Sequence, residues 1–354
     1  MARARRTNRG TVTILDVARA AGVSTMTVSR VMNGAANVRD ETRARVLEAI
    51  AELNYSPNMA ARTLAAGHAT HIGLLYANPS DAYLTQFLVG ALAGARQAGC
   101  HLVLEECDGD TAEAQAEATR RFASTNVEGV ILAPPVSEYE AVHDELAAAG
   151  IPAVTVARAR PPSENGPVDK MNVGIDDYVA ARHMTRYLLG LGHRRIGLVR
   201  GHPRHMASAE RYRGFVDALA EAGVDPADAP VEQGYFSYRS GIVAAERMLD
   251  RNPRPTAIFA SNDDMAAAAV GVAHRRGLDV PGDVSIVGFD DTSLATTVWP
   301  ELTTVRQPIA AMAEAALEVL LTRLRGRRAG SRTPRHLLDF TFVERDSAGP
   351  PPGA

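Results

Sequence analysis

Residues 14–33, I-L-D-V-A-R-A-A-G-V-S-T-M-T-V-S-R-V-M-N, read as two short helices joined at a glycine. Val17, Ala18 and Ala21 recur at the spacing of one buried stripe on a helix two turns long. Ahead of them, Thr13-x-x-Asp16 has the form of a capping box. Gly22 falls where the chain must turn, at a position that favours φ > 0. Ser24 can cap the second helix, which buries Val23, Val28 and Val31 and presents Thr25, Met26, Ser29 and Arg30. A third amphipathic segment, Asp40–Leu53, carries Val46, Ile50 and Leu53 along one side and supplies the apolar lid that two helices lack. Such a unit is a helix-turn-helix, whose second helix enters the DNA major groove. The bare pattern alone would also fit an ordinary helical hairpin with Arg30 as a solvated charge.

Charge sharpens the choice. The chain of 354 residues carries a formal net charge of −3, but residues 1–66 hold +5 and the remainder −8. A basic head on an acidic body fits a polyanion-binding module attached to a carrier that does not itself seek nucleic acid. Residues 1–11, with arginines at 3, 5, 6 and 9, read as a disordered basic arm. Cys100 and Cys107 lie at neither a zinc nor a redox spacing, so reduced thiols in a cytoplasmic protein are expected. No apolar run is long enough for a membrane span, and no apolar stretch follows the basic N-terminus as a secretory signal requires.

From His71 onward, short apolar runs alternate with Ala-rich amphipathic stretches. Strands are expected at 72–76, 101–105, 130–133, 153–156, 173–175, 196–199, 257–260 and 284–289, with helices between most of them. That alternation predicts parallel sheets covered on both faces. The strands are too many for one comfortable sheet, and an Arg/Pro-rich stretch at 157–166 reads as the break between two α/β lobes. Residues 346–354, rich in Pro and Gly, read as a disordered tail without heptads.

Thr13-Ile14-Leu15-Asp16-Val17-Ala18, Ala21-Gly22-Val23-Ser24, Thr27-Val28-Ser29-Arg30-Val31-x-Asn33 and Leu53-Asn54-Tyr55-x-Pro57-Asn58 together resemble the lactose-repressor (LacI/GalR) family of bacterial transcription regulators. The resemblance implies a helix-turn-helix domain over 12–57, a hinge helix over 58–67 and a two-lobed periplasmic-binding-protein-like core over 70–345. In the hinge it implies minor-groove contact through Asn58, Ala61 and Leu64, with Leu64 wedged between base steps. Read without the family, the same short segment is a linker, because so few turns of helix are marginal alone.

Thr25, Met26 and Arg30 are the residues placed to reach base edges. Arg30 suits a guanine, and Met26 or the Thr25 methyl suits a thymine methyl. Thr13, Ser24, Ser29, Asn33 and Thr42 are cast as phosphate contacts. Arg39 stands where the family's third helix begins with a Ser cap, a departure that removes one phosphate contact and about 1 kcal/mol of helix stability.

In the core, three polar groups follow expected strands: Arg211, Asn262 and Asp290. Each alone could be a helix cap, but ligands in such folds bind beyond strand carboxyl ends. The family implies that these three clamp an effector in the inter-lobe cleft. It places Phe236 against the ligand ring, where a core role would fit equally, and Asp81 and Tyr83 in the facing loop. Ala157 stands where many relatives carry a polar residue, which removes one carboxylate from the first lobe. No nucleophile, metal or phosphate-loop motif is present, so no cofactor and no catalysis is expected. The sequence thus predicts a homodimeric, effector-responsive DNA-binding regulator, with a transporter's solute-binding protein as the rival reading.

Overall fold

A computed structural model of the chain describes residues 12–32, 38–53, 70–107, 111–157, 171–326 and 336–353. The basic arm over 1–11, Asn33 and the hinge residues Asn58, Ala61 and Leu64 lie outside the described residues. The chain divides into two compact units, Met1–Ala69 and Thr70–Ala354.

In the first unit, helices α1 (Ile14–Ala21), α2 (Thr25–Met32) and α3 (Asp40–Glu52) enclose Val17, Ala18, Ala21, Val28, Val31, Val46 and Ala49. The Asp16 carboxylate accepts from the Thr13 N–H at 2.9 Å and from its hydroxyl at 2.7 Å, tying down the start of α1. Gly22 ends α1 at φ 63°, ψ 37°, the left-handed conformation foreseen for it. Ile50 and Leu53, expected on the inner face of α3, are partly buried against the same cluster.

The second unit opens with β1 (His71–Tyr76), α4 (Asp81–Ala98), β2 (His101–Glu106), α5 (Ala112–Ala123), β3 (Gly129–Leu132), α6 (Glu140–Ala148), β4 (Ala153–Val156) and β5 (Asn172–Gly174). These strands join β11 (His336–Leu337) in one six-stranded parallel sheet, ordered β11-β5-β4-β3-β1-β2. The interior of β1 and all of β3 are buried, as expected of strands with helices on both faces. The second lobe holds α7 (Asp177–Gly190), β6 (Ile196–Arg200), α8 (Met206–Glu221), β7 (Val231–Gln233), α9 (Tyr238–Leu249), β8 (Ala257–Ala260), α10 (Asp263–Arg275) and β9 (Ser285–Val287). Its parallel sheet runs β7-β6-β8-β9. The chain then continues through α11 (Leu294–Thr297) and β10 (Thr304–Arg306) to α12 (Ile309–Leu324), which packs back on α4 and β4. Where α12 meets α4, a Cβ at Gly90 would lie 2.2 Å from the Ala310 carbonyl oxygen, so only glycine lets the two helices approach. After β11, strand β12 (Thr341–Val343) pairs antiparallel with β10.

Three expectations need correction. The lobe boundary does not fall at 157–166: Asn172 and Val173 of β5 still pair with Thr155 and Val156, so the chain leaves the first sheet only after Gly174. The strand expected at 284–289 pairs with β8 only over Ser285–Val287; beyond it the Gly288 and Asp290 N–H groups donate to the Thr303 and Val305 carbonyls instead. Nor is the tail over 346–354 disordered through its described part. Ser347 is fully buried, its hydroxyl donating to the Ile286 carbonyl and accepting from the Thr303 N–H at 2.9 Å. The Gly349 carbonyl accepts from His193 at 2.8 Å and from the Ser285 hydroxyl at 3.0 Å. Backbone and small-residue bonds order this segment, and a reading based on apolar pattern misses them.

Ser347→Ala leaves the Thr303 N–H buried without that acceptor and should cost about 1–3 kcal/mol. Urea unfolding of the full chain measures it; an unchanged midpoint would contradict the tail's anchoring role.

Candidate nucleic-acid interface and ligand cavity

In the head, α2 turns Val28 and Val31 inward and leaves Thr25, Met26 and Arg30 exposed. Met26, at 64 % exposed, is a large apolar side chain held in water on the outer face of this helix. Ser24 caps α2 by accepting from the Thr27 N–H at 3.2 Å, and the two hydroxyls bond at 2.9 Å. Ser24 remains exposed, Ser29 and Thr42 half-buried, and Thr13 is committed to Asp16. Thr25, Met26 and Arg30 therefore share the outer face of one helix, with Ser24 at its start.

The core cavity lies where strand ends of both lobes meet. It is lined from the first lobe by Asn78, Ser80, Tyr83, Glu138 and Ala157, and from the second by His205, Arg211, Phe236, Asn262 and Asp290, with Gln307 beside them. Five of the six residues expected at the ligand site are here. Asp81 is not: it is exposed and lines a separate surface depression with Thr85, Gln86 and Tyr238. The preceding Ser80 caps α4 and turns its own hydroxyl toward the second lobe, bonding Asp264 at 2.6 Å. Asp81 is thus the first helical residue, with its side chain outside the cleft.

Arg211, on α8, is the centre of the site. Its Nε donates to Asp177 at 2.9 Å, its Nη1 donates to the Ser261 carbonyl and lies 3.8 Å from Asp290 Oδ1. Its guanidinium carbon sits 3.6 Å from the Phe289 ring centroid, a desolvated cation–π contact. Nη2 makes no hydrogen bond among the described residues. The chain brings this together because Asp177 starts α7, just before β6, Ser261 follows β8, the neighbour of β6, and Asp290 follows β9, the next strand beyond β8.

Asp290 accepts from Gln307 Nε2 at 2.6 Å. Burial pushes its carboxyl up to about 7, against the opposing pull of Arg211 and Gln307 and with further push from Asp264 and Asp177. Tyr83 is buried, and its hydroxyl has no partner among the described residues; burial and the nearby Asp290 raise it. His205 stacks on Phe236 at 5.4 Å and 20°, and burial, then His202, Arg204 and Arg211, push its imidazole down to about 3. It is a neutral ring with one donor and one acceptor. Asn262 caps α10: its Oδ1 accepts from Met265 N–H at 3.1 Å, and its amide donates to Phe236 O at 2.9 Å and to Asp264 at 3.2 Å. It lines the cavity, but both its N–H groups serve the scaffold.

Phe236, Ala157 and Asp290 all hold positive φ, at 60°, 57° and 112°. Such backbone costs energy and is sustained only where the surroundings over-determine it. Phe236 is also fitted to Gly201: a Cβ there would lie 1.9 Å from the ring. Sequence reasoning missed Ser80, Glu138, His205 and Gln307. His205 stands beyond β6 just as Asn262 and Asp290 stand beyond their strands, and that signal could have found it.

Comparison with known proteins places these features. Residues 13–58 match the family described as bacterial regulatory proteins, lacI family, and residues 185–348 match a periplasmic binding protein-like domain. The chain is 34 % identical over 310 residues to catabolite control protein A of Priestia megaterium, covering 87 % of this chain and 91 % of that one. Among solved structures, a transcriptional regulator CelR–cellobiose complex is similar at a TM-score of 0.71 and 30 % identity, covering 95 % of this chain and 99 % of that one. The lac repressor dimer bound to operator and an anti-inducer is similar at 0.70 and 29 %, covering 96 % and 100 %.

Because the native Asp290 holds a proton that the unfolded chain releases above about pH 4, its contribution to stability falls as pH rises from about 4 to 7. Relative to Asp290→Asn, the wild type should therefore lose stability between pH 5 and pH 8. Paired urea titrations at those two pH values would contradict this if the difference were constant or reversed.

Proposed function

Because the chain belongs to the lactose-repressor (LacI/GalR) family of bacterial transcription regulators, we propose that it binds a palindromic operator as a homodimer in the cytoplasm, associating with the nucleoid, and answers to a small uncharged molecule in the cavity. The observation that carries this is the pairing of an exposed α2 face on a basic head with a buried, pre-paired arginine at a cleft between lobes.

On the head, Thr25, Met26 and Arg30 read bases in the major groove, with Arg30 forking onto a guanine. Ser24, Ser29, Thr42, Thr13 and Asn33 fix register on phosphates. The hinge reading stands as a proposal too: Asn58 and Ala61 face the minor groove, and Leu64 wedges it open. In this reading, 12–57 reads DNA, 58–67 is the hinge and 70–345 senses the effector and dimerises.

Among the described residues, Arg211 is the only cationic side chain in the cavity lining, and Asp177 already pairs with it. Glu138 adds a further carboxylate and His205 stays neutral. An anionic ligand would meet a net negative wall. The groups left to bond are the Tyr83 hydroxyl, Arg211 Nη2, the second Asp290 oxygen and the His205 ring. Donors and acceptors in that mixture suit vicinal hydroxyls, and the Phe236–His205 stack offers a flat apolar wall to a ring. Arg211, Phe236, Asn262, Asp290 and Tyr83 thus form a sugar-like effector site, in line with the cellobiose in the CelR complex. A nucleoside or purine is the second ligand reading and would use the same ring wall.

The cleft as it stands encloses about 50 Å³, far below the roughly 300–1,000 Å³ of ligand sites. Ser80–Asp264 at 2.6 Å, Gln86 Nε2 to the Asp291 carbonyl at 3.3 Å, and Met206 N–H to Glu138 at 3.2 Å hold the lobes together. Ligand entry must break these bonds or lengthen them, so a ligand selects among lobe arrangements by its differential affinity. A transporter's solute-binding protein would share the core but leave the 13–58 head without a role.

Arg30→Ala should cut the preference for operator over random duplex by about 1–3 kcal/mol per half-site while leaving weak, salt-sensitive binding, because that is what one bidentate guanine pair discriminates. Anisotropy titrations on both duplexes read it; an equal loss on both would remove Arg30 from base reading.

A further inference from the structure

The geometry points to a second binding position at the rim of the cavity: a row of four rings, Phe236, His205, His202 and Tyr235, whose outer end seats the second ring of a disaccharide held by its first ring in the cleft. This rests on the sugar-like reading of the cavity and deepens it, from one ring to two.

Two loops build the row. One follows β6 and carries His202 and His205; the other follows β7 and carries Tyr235 and Phe236. Because β6 and β7 pair in parallel, both loops leave the sheet at the same end and lie side by side. His205 stacks on Phe236 at 5.4 Å, His202 lies 4.6 Å from His205, and Tyr235 meets His202 at 5.5 Å and 65°. Exposure rises outward: His205 is buried, His202 is half-buried, and Tyr235 is 47 % exposed. Phe236 and His205 line the cavity, whereas His202 and Tyr235 stand beyond its lining. The row therefore begins inside the site already described and ends in solvent.

Its rings are held in place. Gln233 Nε2 donates to the Gly201 carbonyl at 2.5 Å and to the Gly234 carbonyl at 2.6 Å, tying the starts of the two loops together. The Tyr235 N–H donates to Ser240 Oγ at 2.9 Å, and His202 Nδ1 accepts from the Arg204 N–H at 3.1 Å. Tyr235 packs into none of the apolar clusters of the core. A large aromatic side chain kept in water on a backbone that is already bonded has lost much of the freedom that binding would otherwise remove.

The C–H faces of a sugar ring pack on aromatic surface while its hydroxyls seek donors and acceptors at the edge, and Tyr235 offers both a ring and a hydroxyl. The cleft encloses only about 50 Å³, so a second ring finds its room outside, along the row. Steps of 4.6–5.5 Å between successive rings suit a ligand of linked rings better than a single one.

The test is isothermal titration calorimetry on the full chain, as wild type, Tyr235→Ala and Tyr235→Phe. The probes are glucose, galactose and xylose, and the disaccharides cellobiose, maltose, lactose and xylobiose. In wild type the best-bound disaccharide should bind about tenfold tighter than its constituent monosaccharides, the scale of one good aromatic contact. That ratio should fall toward one in Tyr235→Ala and persist in Tyr235→Phe, which keeps the ring. A general loss of folded protein lowers the active fraction for both sugars and cannot imitate a changed ratio. A wild-type ratio near one, a ratio kept in Tyr235→Ala, or a ratio lost in Tyr235→Phe would overturn the second position and leave the sugar-like cavity standing. Wild-type protein that binds no saccharide of either length would overturn both.

Discussion

The core is organised around one buried cation. Arg211 reaches from α8 to Asp177 at the lobe crossover, to the Ser261 carbonyl after β8 and to Asp290 after β9, with the Phe289 ring beneath it. A buried guanidinium is tolerated when its charge is met and most of its donors are bonded, as Nε and Nη1 of Arg211 are here. Satisfying Arg211 therefore fixes the ends of three neighbouring strands and the start of α7 in one geometry. Ligand-facing groups inherit that geometry. Asp290 is held at a strained φ of 112°, and the Phe236–His205 stack closes one side of the cavity.

The proposed neutral ligand fits a cavity with one arginine and several carboxylates because Arg211 is already engaged within the scaffold. The cation is spent within the scaffold, and what it offers the cleft is a pair of N–H donors at Nη2. The first lobe reaches the same space through the unpartnered Tyr83 hydroxyl, and Ala157 leaves room where a polar side chain could have crowded it. A ligand bonded to both lobes at once would add to the Ser80–Asp264 and Glu138–Met206 links, and this is how occupancy can bias the lobe arrangement.

Much of this was legible in the sequence. Helix stripes at Val17, Ala18 and Ala21 and at Val28 and Val31, with Gly22 between, fall where the periodicity put them. Apolar runs found the strands buried on both faces, because full burial leaves a continuous apolar signature. The short strands β7, β10, β11 and β12 were not foreseen. They are two or three residues long and lie at sheet edges or crossovers, so partners far along the chain create them rather than local pattern. The tail escaped for a related reason: Ser347 is ordered by backbone partners more than 40 residues away. At the cavity, looking for polar residues after strands picked out Arg211, Asn262 and Asp290, which the structure brings into one lining. It could not show that Asn262 spends its amide on α10, nor that Asp81 faces outward while Ser80 faces the second lobe.

The most direct test of the account is a thermal-shift panel on the full chain with uncharged sugars and polyols, their phosphorylated counterparts, and nucleosides and purines, run on wild type and on Tyr83→Phe. At 100 times its dissociation constant a ligand stabilises by about 2.7 kcal/mol, a shift that melting resolves. The account predicts a shift from at least one uncharged polyhydroxy compound, none from its phosphate, and a smaller shift in Tyr83→Phe. Stabilisation by the phosphorylated members alone, or undiminished in Tyr83→Phe, would contradict it.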